Sequence, residues 1–119
     1  MISAHAPGDF LVFQIESCFV LIRLLAIDDT ADGKVWHVSA YGEFFIDTET
    51  AEAAAADPSR LSVSSPHIAL TNRAFETTQA AKLFHSPLTN NEMAALDEWR
   101  KDPEGKVFDR TIRLILGLR

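Results

Sequence analysis

The most apolar stretch of the chain covers residues 10–27 and has the sequence FLVFQIESCFVLIRLLAI. It is rich in branched aliphatic and aromatic residues, and turn-forming residues flank it: Pro7-Gly8-Asp9 before and Asp28-Asp29 after. These features are typical of β-strands. The pattern therefore predicts two strands, 9–15 and 18–28, that form a hairpin.

The polar residues of this stretch indicate how the two strands pair. With the turn centred on Glu16-Ser17, Gln14 pairs with Phe19 and Arg23 pairs with Phe10 across the two strands. Gln14 and Arg23 then lie on the same face of the hairpin. A shift of one residue would scatter the polar side chains over both faces. In the favoured register the other face carries apolar side chains and one thiol: Leu11, Phe13, Ile15, Cys18, Val20, Ile22, Leu24 and Ala26. We expect Cys18 to be a buried, unreactive thiol on that face.

Two further extended segments follow. Apolar and polar residues alternate from residue 34 to 40, and the apolar pattern resumes at Phe44 after an interruption at Gly42. Gly inside a strand pattern usually marks a bulge or a bend. Extended structure is therefore predicted over 34–46, with residues 44–46 as a bent continuation or as a further strand. After Pro66, the alternation of Ile68 and Leu70 predicts a strand over 67–71.

Helices are predicted at 49–56, 73–84, 89–100 and 103–117. The strongest local signal is a capping box formed by Thr89 and Glu92, which indicates a helix start. Asp102-Pro103 offers a cap and a first-turn proline for the last helix. The final residues, 112–118, also alternate as a strand would, but helix is the preferred interpretation.

The predicted strands lie mostly in the first half of the chain and the predicted helices mostly in the second. This order predicts an α+β fold with a single domain over 1–119 and a short arm at 1–8. The expected architecture is a small, strongly bent antiparallel sheet or partial barrel, with the C-terminal helices packed on one side.

Charge is unevenly distributed along the chain. Residues 1–58 contain ten acidic and two basic residues, whereas residues 59–119 contain seven acidic and nine basic ones. The net charge of −6 argues against nucleic acid as the main partner. An acidic N-terminal half is able to attract a basic protein, and a cytoplasmic protein-binding module is the preferred function. Its likeness to immunity proteins, which neutralise basic toxins, rests on size and charge alone.

A membrane protein is not expected. Gln14, Glu16, Ser17 and Arg23 divide the apolar stretch into pieces too short to span a bilayer. No Lys or Arg precedes the stretch, as a secretory signal would require. With a single cysteine the chain needs no oxidising compartment, so the cytoplasm is the expected location.

Few residues indicate chemistry. His37 and His67 would meet only if their strands are neighbours, and two unrelated, half-exposed strand residues are the preferred interpretation. Together with Tyr41 and Glu43 they are candidates for a small polar binding site. Arg23 is a candidate for anion binding, although pairing with an acid is the simpler expectation. No metal site, catalytic residue or cofactor is predicted.

Two alternatives to the protein-binding module stay open. One is a small enzyme or ligand-binding domain with a pocket between the sheet and the helices. The other is a homodimer held by the C-terminal segment, which has more aliphatic residues than one helix stripe requires and is basic in an acidic chain. The candidate interface residues are Ile112, Arg113, Leu114 and Leu118.

Overall fold

The computed structural model describes residues 5–117 and contains one five-stranded antiparallel sheet. The elements, in chain order, are β1 (Asp9–Ile15), β2 (Cys18–Thr30), β3 (Gly33–Phe45), α1 (Thr48–Ala55), a 3₁₀ turn (Pro58–Arg60), β4 (Val63–Thr71), α2 (Asn72–Thr78), β5 (Ala81–His85), α3 (Asn90–Lys101) and α4 (Ile112–Ile115). The strand order is β4-β3-β2-β1-β5, and the sheet is open. The predicted α+β class is confirmed.

The first hairpin has the predicted register. Gln14 pairs with Phe19 and Phe10 with Arg23. Glu16 supplies the left-handed backbone conformation of the turn, with φ of 45°. The turn is therefore tight even though it lacks the Gly or Asn that such turns prefer.

The sheet separates two layers of helices. One face of β1, β2 and β3 packs Leu11, Ile22 and Val38 against α2 and α4. The opposite face carries Phe10 and Leu21, which pack near α1. Leu96 of α3 also lies on this second side, against residues 25–26 of β2. The two C-terminal helices thus lie on opposite sides of the sheet rather than together on one.

The predicted helix 73–84 is wrong in its second half. α2 ends at Thr78, and Gln79 adopts a left-handed conformation with φ of 54°. The chain then forms β5, which pairs with β1 along the sheet edge. Pairing with a distant strand outweighs the helical preference of residues 80–84, which local sequence does not reveal.

The predicted helix 103–117 is also wrong over most of its length. Only residues 112–115 are helical. Residues 106–111 are instead held against β4, where the Phe108 amide donates to Ala69 and its carbonyl accepts from Thr71. Gly105 permits the approach of this segment, because a Cβ there would lie 2.9 Å from the Trp99 ring.

Two smaller expectations differ from the structure. β4 begins at Val63, not at residue 67, because Pro66 is tolerated in a strand at the sheet edge. Cys18 is half-buried beside the main core rather than fully enclosed, since it begins β2 next to the turn.

Candidate functional site

The side of β3 that faces α3 is polar. The alternation of β3 directs Trp36, Val38 and Ala40 into the main core. His37, Ser39 and Tyr41 therefore lie on the other side, which we call the polar face. Arg23 pairs with Ser39 across the sheet and belongs to the same face. Buried polar groups on this face require hydrogen-bond partners to offset the cost of their desolvation.

His37 and His67 come into contact, contrary to the expectation of two unrelated strand residues. β3 and β4 are neighbours, and His37 Nδ1 lies 2.9 Å from His67 Nε2. His37 is fully buried, and its Nε2 lies 2.9 Å from Asp28 Oδ2. Arg100 donates to the other oxygen of Asp28 at 2.7 Å. The four side chains form a continuous hydrogen-bonded chain from β4 to the end of α3.

Both histidines of this chain are held in the neutral form. Burial lowers the pKa of His67 to about 4, aided by the repulsion that a protonated His37 would exert and by the charge of Arg100. Burial also lowers the pKa of His37, although the hydrogen bond to Asp28 opposes the shift. When both rings are neutral, His37 donates from Nε2 to Asp28, and its Nδ1 accepts the Nε2–H of His67. Trp99 packs edge-on against His37 and shields the pair.

The histidine pair does not make a metal centre. Among residues 5–117, no group of three His, Cys, Asp or Glu side chains is arranged to hold a metal ion. The facing nitrogens of the two rings are already occupied by the hydrogen bond between them.

Arg23 has a structural role in this arrangement. Its guanidinium is 2% exposed, lies over the Phe10 ring, and bonds Glu92 through Nε at 2.9 Å and Nη2 at 3.2 Å. The carbonyls of Gly8 and Pro87 accept further hydrogen bonds from it. With these donors engaged, Arg23 ties β2 to the start of α3 and is not available as an anion site.

Glu92 serves two purposes at once. It bonds Arg23, and it completes the predicted capping box by accepting from the backbone amide of Thr89. Burial alone would raise the pKa of this carboxyl, but the hydrogen bonds from Arg23 and Thr89 lower it. Glu92 is therefore a charged carboxylate whose charge is balanced inside the protein.

Tyr41 lines a cavity of about 230 Å³ between the polar face and α3. Ser39 also lines it. No sequence signal singles out this residue, since a serine at an alternating strand position is common. Both residues are buried, at 7% exposure for Ser39 and 5% for Tyr41. Neither hydroxyl has a hydrogen-bond partner among residues 5–117. The remaining lining residues are Val63, Pro66, Asn91, Glu92, Ala94 and Ala95.

Glu43 lies apart from the histidine pair. Its carboxylate accepts hydrogen bonds from the Ser62 amide at 2.9 and 3.1 Å, and it borders a groove beside α1. It belongs to a set of acidic residues that we call the acidic corner: Glu43, Asp47, Glu49, Glu52 and Asp57. The segment 42–57 that carries them has no Lys or Arg.

The candidate interface residues have different environments. Ile112 is completely buried in the main core, so it cannot form an interface. Leu114 is 63% exposed and Arg113 is half-buried. Leu118 lies outside the described residues.

Comparison with family models, with curated proteins and with solved structures finds no match for this chain. Within residues 5–117, no helix is both long enough and apolar enough to cross a membrane.

Proposed function

We propose that the protein is a binding module that docks a basic protein partner through the acidic corner. The observation that carries the proposal is that none of the five acidic residues forms an ion pair within residues 5–117. Two large apolar side chains in the same segment are exposed, Phe44 at 56% and Ile46 at 77%.

Three of the other five acidic residues of the N-terminal half are neutralised internally, whereas Glu16 and Asp32 form no ion pair within residues 5–117. Asp9 is paired with Lys82 and His85, and Asp29 is paired with Lys34. Asp28 is bonded by Arg100. Five of the seven acidic residues of this half that form no ion pair within residues 5–117 thus belong to the acidic corner.

Local roles account for only part of the acidic corner. Asp47 caps α1 by accepting from the Thr50 amide, and Asp57 accepts from the Ser59 hydroxyl. Glu49 and Glu52 are exposed on α1, which buries Ala51 and Ala55, and their carboxylates make no hydrogen bond or ion pair in the described chain.

Unpaired acids beside exposed apolar side chains suit a basic partner. The charges would accelerate encounter and select against acidic proteins. Apolar and aromatic anchors such as Phe44 and Ile46 would supply contact area that charge alone does not.

The proposal is tested by fluorescence anisotropy with a labelled peptide of alternating arginine and leucine. The double variant Glu49→Lys/Glu52→Lys should weaken binding at least about tenfold, because two attractive interactions become repulsive. The matched control Asp97→Lys/Glu104→Lys makes the same change in net charge at exposed positions outside the acidic corner. If both variants lowered the peptide affinity equally, net charge alone would explain the effect, and the proposal would be refuted.

A homodimer is the second candidate. Arg110 and Arg113 form no ion pair within residues 5–117, and Leu114 beside them is exposed. This basic, apolar surface is complementary to the acidic corner. A second copy of the chain is therefore a candidate for the basic partner.

A further inference from the structure

The cavity beneath α3 offers hydrogen bonds that the described chain does not use. Ser39 and Tyr41 line the same cavity from positions two apart on β3, and neither hydroxyl is a fully enclosed atom without a partner. Both hydroxyls are therefore free to hydrogen-bond a ligand in place of water. Residues at this spacing lie on one side of a strand, so the two groups are able to bind one molecule together.

The charge of the cavity restricts what it can bind. Glu92 is the one charged residue of its lining, and Arg23 and the Thr89 amide already engage its carboxylate. A charged ligand would find no free counterion there. Burial, reinforced by the charge of Glu92 and opposed by Arg23, raises the pKa of Tyr41, so its hydroxyl stays protonated and donates.

The size and walls of the cavity restrict the ligand further. Its volume of about 230 Å³ is below the roughly 300–1,000 Å³ of pockets for drug-sized molecules. It exceeds the roughly 150 Å³ of an apolar cavity that admits benzene. Val63 and Pro66 on β4 and Ala94 and Ala95 on α3 give the cavity an apolar lining, which suits the ring of a small molecule.

We propose that this cavity binds a small, uncharged, single-ring molecule with a carbonyl or amide group that hydrogen-bonds the hydroxyls of Ser39 and Tyr41. The exposure of Val63, at 54%, fits a position at the mouth of the cavity. This site is separate from the acidic corner, so it does not depend on the proposed protein partner.

Titration with benzamide, followed by ¹H–¹⁵N NMR spectra of the full chain, tests the proposal. Benzamide should produce saturable shifts of the amide signals of Ser39, Tyr41 and Ala95. Benzoate, which has the same ring and a negative charge, should bind at least about tenfold more weakly. No saturable shift at these residues, or equal binding of benzoate, would overturn the proposal.

Two variants distinguish this site from surface adsorption. Tyr41→Phe keeps the ring and removes the hydroxyl, so benzamide affinity should fall about fivefold, the loss expected for one hydrogen bond. Ala95→Leu should fill part of the cavity and abolish the shifts, whereas Ala53→Leu, at an exposed position of α1, should leave them unchanged. Wild-type affinity in either Tyr41→Phe or Ala95→Leu, with the fold confirmed by the same spectra, would contradict the assignment.

Discussion

His37 Nδ1 and His67 Nε2 lie 2.9 Å apart across two neighbouring strands, and the rings stack with centroids separated by 5.1 Å. The contact links the sheet edge strand β4 to the buried His37, which continues the hydrogen-bonded series through Asp28 to Arg100. The hydrogen bond between the two rings depends on both rings remaining neutral. The free energy of unfolding should therefore depend on pH.

The first prediction concerns this pH dependence. Folding lowers the pKa of His67 from 6.5 to about 4, so the unfolded chain binds more protons between these values. Stability is therefore full above about pH 6.5 and falls as the pH is lowered towards 4. After a discount for partial exposure, the loss between about pH 7 and pH 5 should be about 1–2 kcal/mol, measured by urea denaturation.

The control for this prediction is a pair of histidine variants. His67→Gln keeps a donor for His37 and should reduce the loss between pH 7 and pH 5 by about 1 kcal/mol. His85→Gln, at a half-exposed position, should not reduce it. The Glu92 carboxyl contributes only below its ordinary pKa of 4.5 and does not affect this interval. A pH dependence identical in wild type and His67→Gln would refute the explanation.

The second prediction concerns Arg23 and Glu92. Glu92→Gln leaves a guanidinium that is 2% exposed without its counterion. Loss of one partner of a buried pair typically costs about 3–5 kcal/mol, and urea denaturation should show a loss of this order.

The matched control for Glu92 is Glu98→Gln, which breaks the exposed pair with Lys101 on the same helix. Exposed pairs contribute about 0–1 kcal/mol, so this variant should be near wild type. If both variants lost a similar amount of unfolding free energy, the buried pair would contribute no more to stability than the exposed pair.

The third prediction concerns the start of α3. Thr89→Ala removes the oxygen that accepts from the Glu92 amide at 3.2 Å. Loss of an N-cap oxygen usually costs about 1 kcal/mol, and the melting temperature should fall accordingly. Thr48→Ala, at an exposed first-turn position of α1, serves as the control. An unchanged melting temperature for Thr89→Ala would contradict the importance of the capping box.

The fourth prediction concerns self-association. If Leu114 contributes to a dimer, sedimentation equilibrium at tens of micromolar should show a dimeric mass for the wild type and a monomeric mass for Leu114→Asp. The substitution should leave the fold intact because Leu114 is 63% exposed. A monomeric wild type would end the dimer hypothesis and leave the basic partner as a different protein.

The sequence predicted the central hairpin well because it contains few polar residues. Gln14 and Arg23 interrupt an otherwise apolar run, and only one register places them on the same face. The capping box could also be predicted from the sequence, since Thr89 and Glu92 interact within one helical turn. Both features depend on short-range patterns.

Features that depend on contacts between residues far apart in the chain could not be predicted from local sequence patterns. β5 exists because residues 81–85 meet the free edge of β1, far away in the chain. The contact between His37 and His67 requires β3 and β4 to be neighbours across the α1 connection. The cavity at Ser39 arises only when α3 crosses the polar face, which no local pattern indicates.

The central claim, that the acidic corner docks a basic partner, is tested most directly by mapping where such a partner binds. Titration of the ¹⁵N-labelled chain with the arginine–leucine peptide should shift the amide signals of residues 43–57 first and most strongly. The shifts should weaken as salt rises from about 50 mM to about 300 mM, because exposed charges are screened. Shifts confined to other surfaces, or none in residues 43–57 while the peptide binds, would contradict the claim.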